Sequence, residues 1–306
     1  MDNCVQPQGR VSVVVITRDR VDELVDTLAR LATLPEPVPV VVVDNGSSDG
    51  TSAAVRVQFP DVRLVRSAEN LGAGARNVGA ELVDTPYVAF CDDDSWWAPG
   101  SLTRAAELLD RHREVALVAA RIVVEPQGRL DPVCELMRCS PLPRRAELPG
   151  PRVRGFLACS AVVRRVPFLD AGGFERRFII GGEEALLAWD LATAGWELVY
   201  VDELLVHHRP SPSRDVSVRR RREQRNALWT SWLRRPRHDA LMRTFAALRR
   251  SVHDIDERAA LVDAARSFAW AARHRRPVGE PLAGELRLLD RQPPADVALR
   301  ADAPRA

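Results

Sequence analysis

Lysine is absent from all 306 residues. Every one of the 44 basic side chains is an arginine, set against 42 acidic ones for a formal net charge of +2. So close a balance gives no global field that would draw nucleic acid. The arginine-only usage reads as a coding bias and lowers the meaning of any single arginine cluster. Cysteine is scarce and unpatterned: Cys4, Cys91, Cys134, Cys139 and Cys159 form an odd set with no C-x-x-C spacing. That argues against zinc scaffolds and a disulfide framework and fits a reducing compartment. Cys134 and Cys139 could pair, but free thiols are the simpler expectation. No run approaches the roughly 18 apolar residues that span a bilayer, and Met1-Asp2-Asn3-Cys4 lacks the layout of a secretory signal. A cytoplasmic chain, at most peripheral to the inner face of a membrane, is expected. Also missing is a G-x-G-x-x-G after the first apolar run, which disfavours a dehydrogenase.

What is present is an alternation of strands and helices. With 46% hydrophobic content, one large α/β domain with an appendage is expected. Residues 11–17 and 38–43 are continuous apolar runs, the mark of strands buried on both faces. Residues 62–65, 87–91 and 115–124 supply further strands. Between them, residues 21–34, 51–58, 73–82 and 99–112 show helical character, the first with Val21, Leu24, Val25, Leu28 and Leu31 at helical spacing before Pro35. Repeated β-α-β units predict a mostly parallel twisted sheet with helices on both faces, whose ligands sit beyond the carboxyl ends of the strands. A segment at 125–154 breaks the rhythm with six prolines and reads as a functional or disordered loop. Beyond Pro210 the chain becomes arginine-rich and mainly helical, with Leu228, Trp229, Trp232 and Leu233 on one face. A polar tail follows Gln292.

Three motifs fall at strand ends. Thr17-Arg18-Asp19-Arg20 follows the first strand, and Asp44-Asn45-Gly46-Ser47-Ser48-Asp49-Gly50-Thr51 follows the second, its glycines suited to positive φ. Asp92-Asp93-Asp94 closes the fourth. Crowded carboxylates repel unless a cation neutralises them, and hard oxygen ligands favour Mg²⁺ or Mn²⁺. A solvated acidic turn favouring the next helix N-terminus is the plain alternative. The block Asn70-Leu71-Gly72-Ala73-Gly74-Ala75-Arg76-Asn77-Val78-Gly79 opens a helix with small residues, either for a close approach of backbone or for helix packing, and brings Arg76 toward a phosphate or base.

VVVITRDR, VVVDNGSSDGT, ENLGAGARNVGA, FCDDDSWWAPG and GGFERRFIIGGEEALLAWDLATAGW, in that order, resemble the family-2 glycosyltransferases, inverting enzymes of the GT-A fold. The resemblance covers roughly residues 11–210. It implies that Thr17, Arg20, Asp44, Asn45 and Arg76 hold the nucleotide, with Asp92 and Asp93 toward the sugar nucleotide. Asp94 would ligate Mn²⁺ or Mg²⁺, with Asp92 and His207 beside it, neutralising a leaving diphosphate. Glu183 and Glu184 occupy the family's catalytic-base position, Glu184 preferred by register. The pair is Glu-Glu where relatives carry Glu-Asp, and Leu186 stands where a further Asp is common, so the acceptor geometry is this chain's own. Residues 1–210 would form the nucleotide-sugar-binding and catalytic domain and 211–306 a helical extension. The expected partners are a nucleotide-diphosphate sugar and an unidentified hydroxyl acceptor, whether glycan, lipid-linked or small molecule, without nucleic acid. Arg219–Arg222 with Trp229 and Trp232 could rest on an anionic membrane or pack on the catalytic domain. A nucleotidyltransferase of related architecture and a catalytically silent binder are the competing classes. The first lacks its glycine-rich phosphate loop here, and intact DDD and GGEE argue against the second.

Overall fold

Valine-rich runs place their side chains alternately on two faces of one sheet. Val13 and Val15 point into one core and Val14 into another, all three fully buried, so this strand must be covered on both sides. The computed structural model describes residues 9–211 and 216–292. Cys4, the amino-terminal Met1–Cys4 stretch and the tail after Gln292 lie outside the described residues.

Among the described residues nine strands form a single sheet: β1 (Val11–Thr17), β2 (Val40–Asp44), β3 (Arg63–Arg66), β4 (Tyr87–Asp92), β5 (Ser95–Trp97), β6 (Val115–Val124), β7 (Arg129–Leu130), β8 (Ala161–Arg164) and β9 (Glu197–His208). Their order is β3-β2-β1-β4-β8-β6-β9-β5, with β7 on β6. Strands β3, β2, β1 and β4 pair in parallel, and so do β6 and β9; β8 runs antiparallel between β4 and β6, and β5 antiparallel to β9. The sheet is therefore mixed, although β1, β2, β3, β4, β6 and β9 all point the same way. Strand β5 starts three residues after β4 ends, within about 11 Å of it, yet it pairs at the far edge. The sheet must curl to allow this, and the curl draws the ends of β4 and β9 together.

Helices Val21–Ala32, Thr51–Gln58 and Ser101–Arg111 cover one face. Helices Ala75–Glu81, Pro132–Arg138, Glu183–Thr193 and Glu280–Leu289 cover the other. The proline-rich segment is docked on the fold rather than looped out. Arg152 bridges in antiparallel fashion to Val199, and buried Arg152 and Arg154 both pair with Glu197 and Glu285. Cys91, Cys134 and Cys159 are buried free thiols, so the considered Cys134–Cys139 bridge does not form.

The C-terminal helices Val216–Arg234, Arg237–Arg250, Ile255–Arg266 and Phe268–Arg273 share a third core with the catalytic half through Phe178 and Leu186. This corrects the membrane role considered for Arg219–Trp232. Trp229 is buried with its indole N–H donating to Ala264 O at 3.1 Å, and Trp232 donates to Thr244 Oγ1 at 3.0 Å. Side chains that close a core are not available to a bilayer. Among the described residues no helix is long and apolar enough to cross a membrane.

Candidate active site

The loops after β1 and β2 lock into one unit. Asp19, at φ +50°, accepts from Ser48 N at 2.7 Å, and its own N–H donates to Ser47 Oγ at 3.0 Å. Asp49 accepts from Val21 N at 3.0 Å and so caps the helix Val21–Ala32. Asp44 is fully buried and accepts from Ser47 N and Ser52 Oγ. It thus holds the turn from beneath. Asn45 accepts from Leu71 N at 3.1 Å and donates to Gly72 O at 3.4 Å, tying this unit to the glycine-rich turn.

The three consecutive aspartates diverge. Asp92, with its side chain 31% exposed, pairs with buried Arg76. Asp93 turns the other way, accepting from Thr17 Oγ1 at 2.9 Å and from Arg20 Nη1 at 3.0 Å. Burial pushes its carboxyl up to about 7, with Asp94 and Asp92 adding to the rise and Arg20 and Thr17 opposing it. Arg20 also reaches Asp94 Oδ2 at 3.3 Å, while Asp94 Oδ1 lies 3.4 Å from His208 Nε2.

It is His208, then, and not His207, that meets Asp94. His207 stacks on Trp96 at 5.3 Å between ring centroids and bonds to Glu125 Oε1 at 2.8 Å through Nδ1. The physical reason is a bulge in β9. Ala120 pairs with Val201 but Arg121 with Leu205, so three extra residues reset the alternation before the histidines. Trp96 is engaged by His207 and by Arg30 at 4.1 Å, and Trp97 is core.

Glu183 and Glu184 form the first turn of Glu183–Thr193, entered through Gly181 and Gly182, both at φ +85°. The helix N-terminus favours their charge, but burial wins and raises both carboxyls, with Glu184 adding to the rise at Glu183 and Asp92 to the rise at both. Glu183 is 3% exposed, with Oε2 lacking a hydrogen-bond partner among the described residues. Glu184 is more open and accepts from the backbone N–H of Ala158. The enclosed Arg76 guanidinium feels Asp92, Glu183 and Glu184 together. One cation thus joins the aspartate turn to the glutamate pair.

Two contributors were not read from the sequence. Asn226, fully buried, donates its amide to Phe178 O (3.0 Å), Ile180 O (3.0 Å) and Gly181 O (2.6 Å), clamping the segment that leads into the glutamates. Arg219, on the same helix, pairs with Glu223 at 2.7 Å, and Glu223 packs against Gly181; Glu184 and Asp92 lie near enough to raise the Arg219 guanidinium against its burial. Only the Arg-Asn doublet inside an otherwise arginine-rich run distinguished this stretch, and it carries no spacing rule.

The glycine-rich turn is explained by the same segment. Ile179, a β-branched residue at φ +63°, lies against Gly72, and its carbonyl accepts from Ala73 N at 2.6 Å. A Cβ on Gly72 would stand 2.1 Å from Ile179 O. Gly72→Ala is therefore expected to cost about 2–3 kcal/mol in urea unfolding. A loss under about 0.5 kcal/mol would show that the approach is not tight.

The profile of glycosyl transferase family 2 matches residues 12–169. The chain belongs to this family. The family-2 chain is 30% identical over 240 residues to the N-acetylglucosaminyl-diphospho-decaprenol L-rhamnosyltransferase of Mycobacterium tuberculosis, covering 66% of this chain and 78% of that one. In fold it is similar to the mannosyltransferase PcManGT from Pyrobaculum calidifontis in complex with GDP-Man and Mn²⁺ (TM-score 0.56, 21% identity, 95% of this chain and 79% of that one). It is also similar to S. aureus TarS in complex with UDP-GlcNAc (TM-score 0.56, 18% identity, 86% and 81%). The chain is therefore a glycosyltransferase of family 2.

Proposed function

We propose that the chain is a metal-dependent, inverting glycosyltransferase that moves a hexosyl or deoxyhexosyl group from a nucleotide-diphosphate sugar to an acceptor hydroxyl. The observation that carries this reading is the single rim on which Arg76 joins the aspartate turn to a buried pair of raised glutamates. The residues present fit a divalent ion. Asp94 turns one oxygen to Arg20 and the other to His208, and a carboxylate with an imidazole is a donor set that Mn²⁺ accepts. Among the described residues no three His, Cys, Asp or Glu side chains converge as a metal site, so phosphate oxygens would complete the shell, as is common for Mg²⁺ and Mn²⁺. When bound, such an ion stabilises the leaving diphosphate as a Lewis acid.

The chain's own groups do the rest. Thr17 and Arg20 hold Asp93 and Asp94 in place. Asp92 remains open toward the sugar nucleotide. Glu184, ionised and flanked by Arg76, takes the proton of the acceptor hydroxyl as it attacks the anomeric carbon. Placing both carbohydrates on one rim supplies orientation. Residues 1–210 carry these groups, and Asn226 and Arg219 from the C-terminal helices complete the acceptor side. The mycobacterial relative makes a diphosphate-lipid-linked saccharide the first acceptor to test, with UDP- and dTDP-linked sugars as donors.

The test is thermal unfolding against a panel of nucleoside diphosphates, with and without Mn²⁺, for the wild type and Asp94→Ala. A ligand at about 100 times its Kd adds about 2.7 kcal/mol of stability. A Mn²⁺-dependent shift with one nucleotide, lost in Asp94→Ala, followed by sugar transfer, is the expected result. A shift without any transfer would leave a silent binder. A shift indifferent to Mn²⁺ and to Asp94 would overturn metal dependence.

A further inference from the structure

Twelve large hydrophobic side chains are exposed among the described residues, and six of them fall between positions 241 and 255: Leu241, Met242, Phe245, Leu248, Val252 and Ile255, each 54–77% exposed. Leu241, Phe245, Leu248 and Val252 follow one another at i, i+4, i+7 and i+11, a single stripe along the helix Arg237–Arg250 and the turn beyond it. The inner side of this helix is already spent, with Ala240 and Ala247 buried and Thr244 receiving the Trp232 indole. A concentration of apolar surface of this kind marks an interaction site.

The charges beside the stripe identify the partner. At 100° per residue Arg237 falls on one flank of the stripe, and His238 and Arg249 on the other. All three are exposed, and neither arginine has a carboxylate partner among the described residues. Most acids nearby are neutralised: Asp239 pairs with Arg287, Asp290 with Arg235 and Arg243, Glu257 with Arg250, and Asp254 with Arg220, leaving Asp256 beside Ile255 as the acid without an ion pair among the described residues. A two-fold contact between copies of this chain would bring the exposed arginines of both stripes into one seam and concentrate like charge there. An apolar stripe bordered by unpaired arginines instead fits a surface that is apolar within and anionic at its edge.

We propose that the helix Arg237–Arg250, continued by Val252 and Ile255, is a docking face for an anionic lipid bilayer. Its apolar stripe enters the headgroup boundary, and Arg237 and Arg249 remain at the phosphate level. Asp254, between Val252 and Ile255, is held by Arg220 at 2.6 Å, which ties the end of the stripe to the helix Val216–Arg234. The docking face stands on its own observations and does not require the acceptor to be lipid-linked.

Co-sedimentation of the full chain with phosphatidylcholine vesicles, with and without phosphatidylglycerol, tests it. The wild type should bind the phosphatidylglycerol vesicles and lose binding as salt rises. Leu241→Glu/Phe245→Glu/Leu248→Glu should bind about tenfold more weakly or worse, with an unchanged melting temperature because all three side chains are solvent-facing. Arg237→Gln/Arg249→Gln, which leaves the stripe intact, should lose the preference for phosphatidylglycerol. No binding by the wild type, or undiminished binding by the triple variant, overturns the proposal. So does a dimer in sedimentation equilibrium that the triple variant dissolves, which would assign the stripe to a second copy. The nucleotide-induced thermal shift serves as a separate readout: it stays intact in every docking variant, so failure here is distinguishable from failure of the glycosyltransferase reading.

Discussion

Glu184→Gln lowers kcat by about 10²–10⁴-fold, the range for removing a general base, and leaves the nucleotide-induced thermal shift in place. The substitution keeps the size of the side chain and removes only its capacity to take a proton. Both glutamates feel Arg76 and Asp92, but Glu183 is buried while Glu184 keeps part of its surface exposed, where an acceptor hydroxyl can reach it. The pH profile adds a second measurement. Burial raises both carboxyls above the ordinary carboxylate range, and the base works only when ionised. The ascending limb of kcat/KM should accordingly lie above that range and move toward neutrality, with the rate falling about tenfold per pH unit below it. Glu184→Gln abolishes this limb. Retention of the limb and of a rate within tenfold of wild type would transfer the base role to Glu183 or to the substrate itself.

Asn226→Leu destabilises the fold by about 2–4 kcal/mol, read from the urea midpoint at unchanged slope. Leucine fills nearly the same volume but donates nothing, so the carbonyls of Phe178, Ile180 and Gly181 lose a shared donor in a place that water does not reach. Each orphaned acceptor costs about 1–3 kcal/mol, and the three are not additive because one amide serves them all. The catalytic signature should be a fall in kcat larger than any change in donor KM, since the clamp holds the approach to the glutamates and not the nucleotide loops. A destabilisation below about 1 kcal/mol, or an effect confined to donor KM, would show that the loop keeps its shape without Asn226.

Strands β1, β2, β4 and β6 were legible because each is an unbroken apolar run, and runs buried on both faces need no context to be seen. Strand β8 is four residues, Ala161–Arg164, emerging directly from the proline-rich stretch, too short for length or alternation to mark it. Its antiparallel insertion therefore came from the structure alone. The acidic motifs sat where the strand ends predicted, since three parallel strands deliver their carboxyl ends to one rim whatever the details. The division of labour within them was not legible. Which way Asp92, Asp93 and Asp94 turn depends on where Arg76 and Arg20 stand; His207 was preferred from the resemblance, whereas a bulge opposite Ala120 and Arg121, unmarked in the sequence, turns His208 to Asp94 instead. Asn226 lay beyond reach for the same reason. Its importance is a matter of what faces it across 44 or more residues of chain, and spacing rules do not report that.

The return of the helix Glu280–Leu289 to the main core has a consequence for how the chain is made. Leu282, Ala283 and Leu286 join the core that the helix Glu183–Thr193 closes, and Glu285 completes the buried charge of Arg152 and Arg154, more than 130 residues earlier. During synthesis every motif of the active site has left the ribosome long before this helix does. Until it arrives, one wall of the core faces water and two buried-to-be arginines lack a counter-charge. Folding of the catalytic half is therefore gated by the emergence of residues near 290, and a chain stopped shortly after the helix Val216–Arg234 would carry the whole active-site sequence yet present an open, aggregation-prone core.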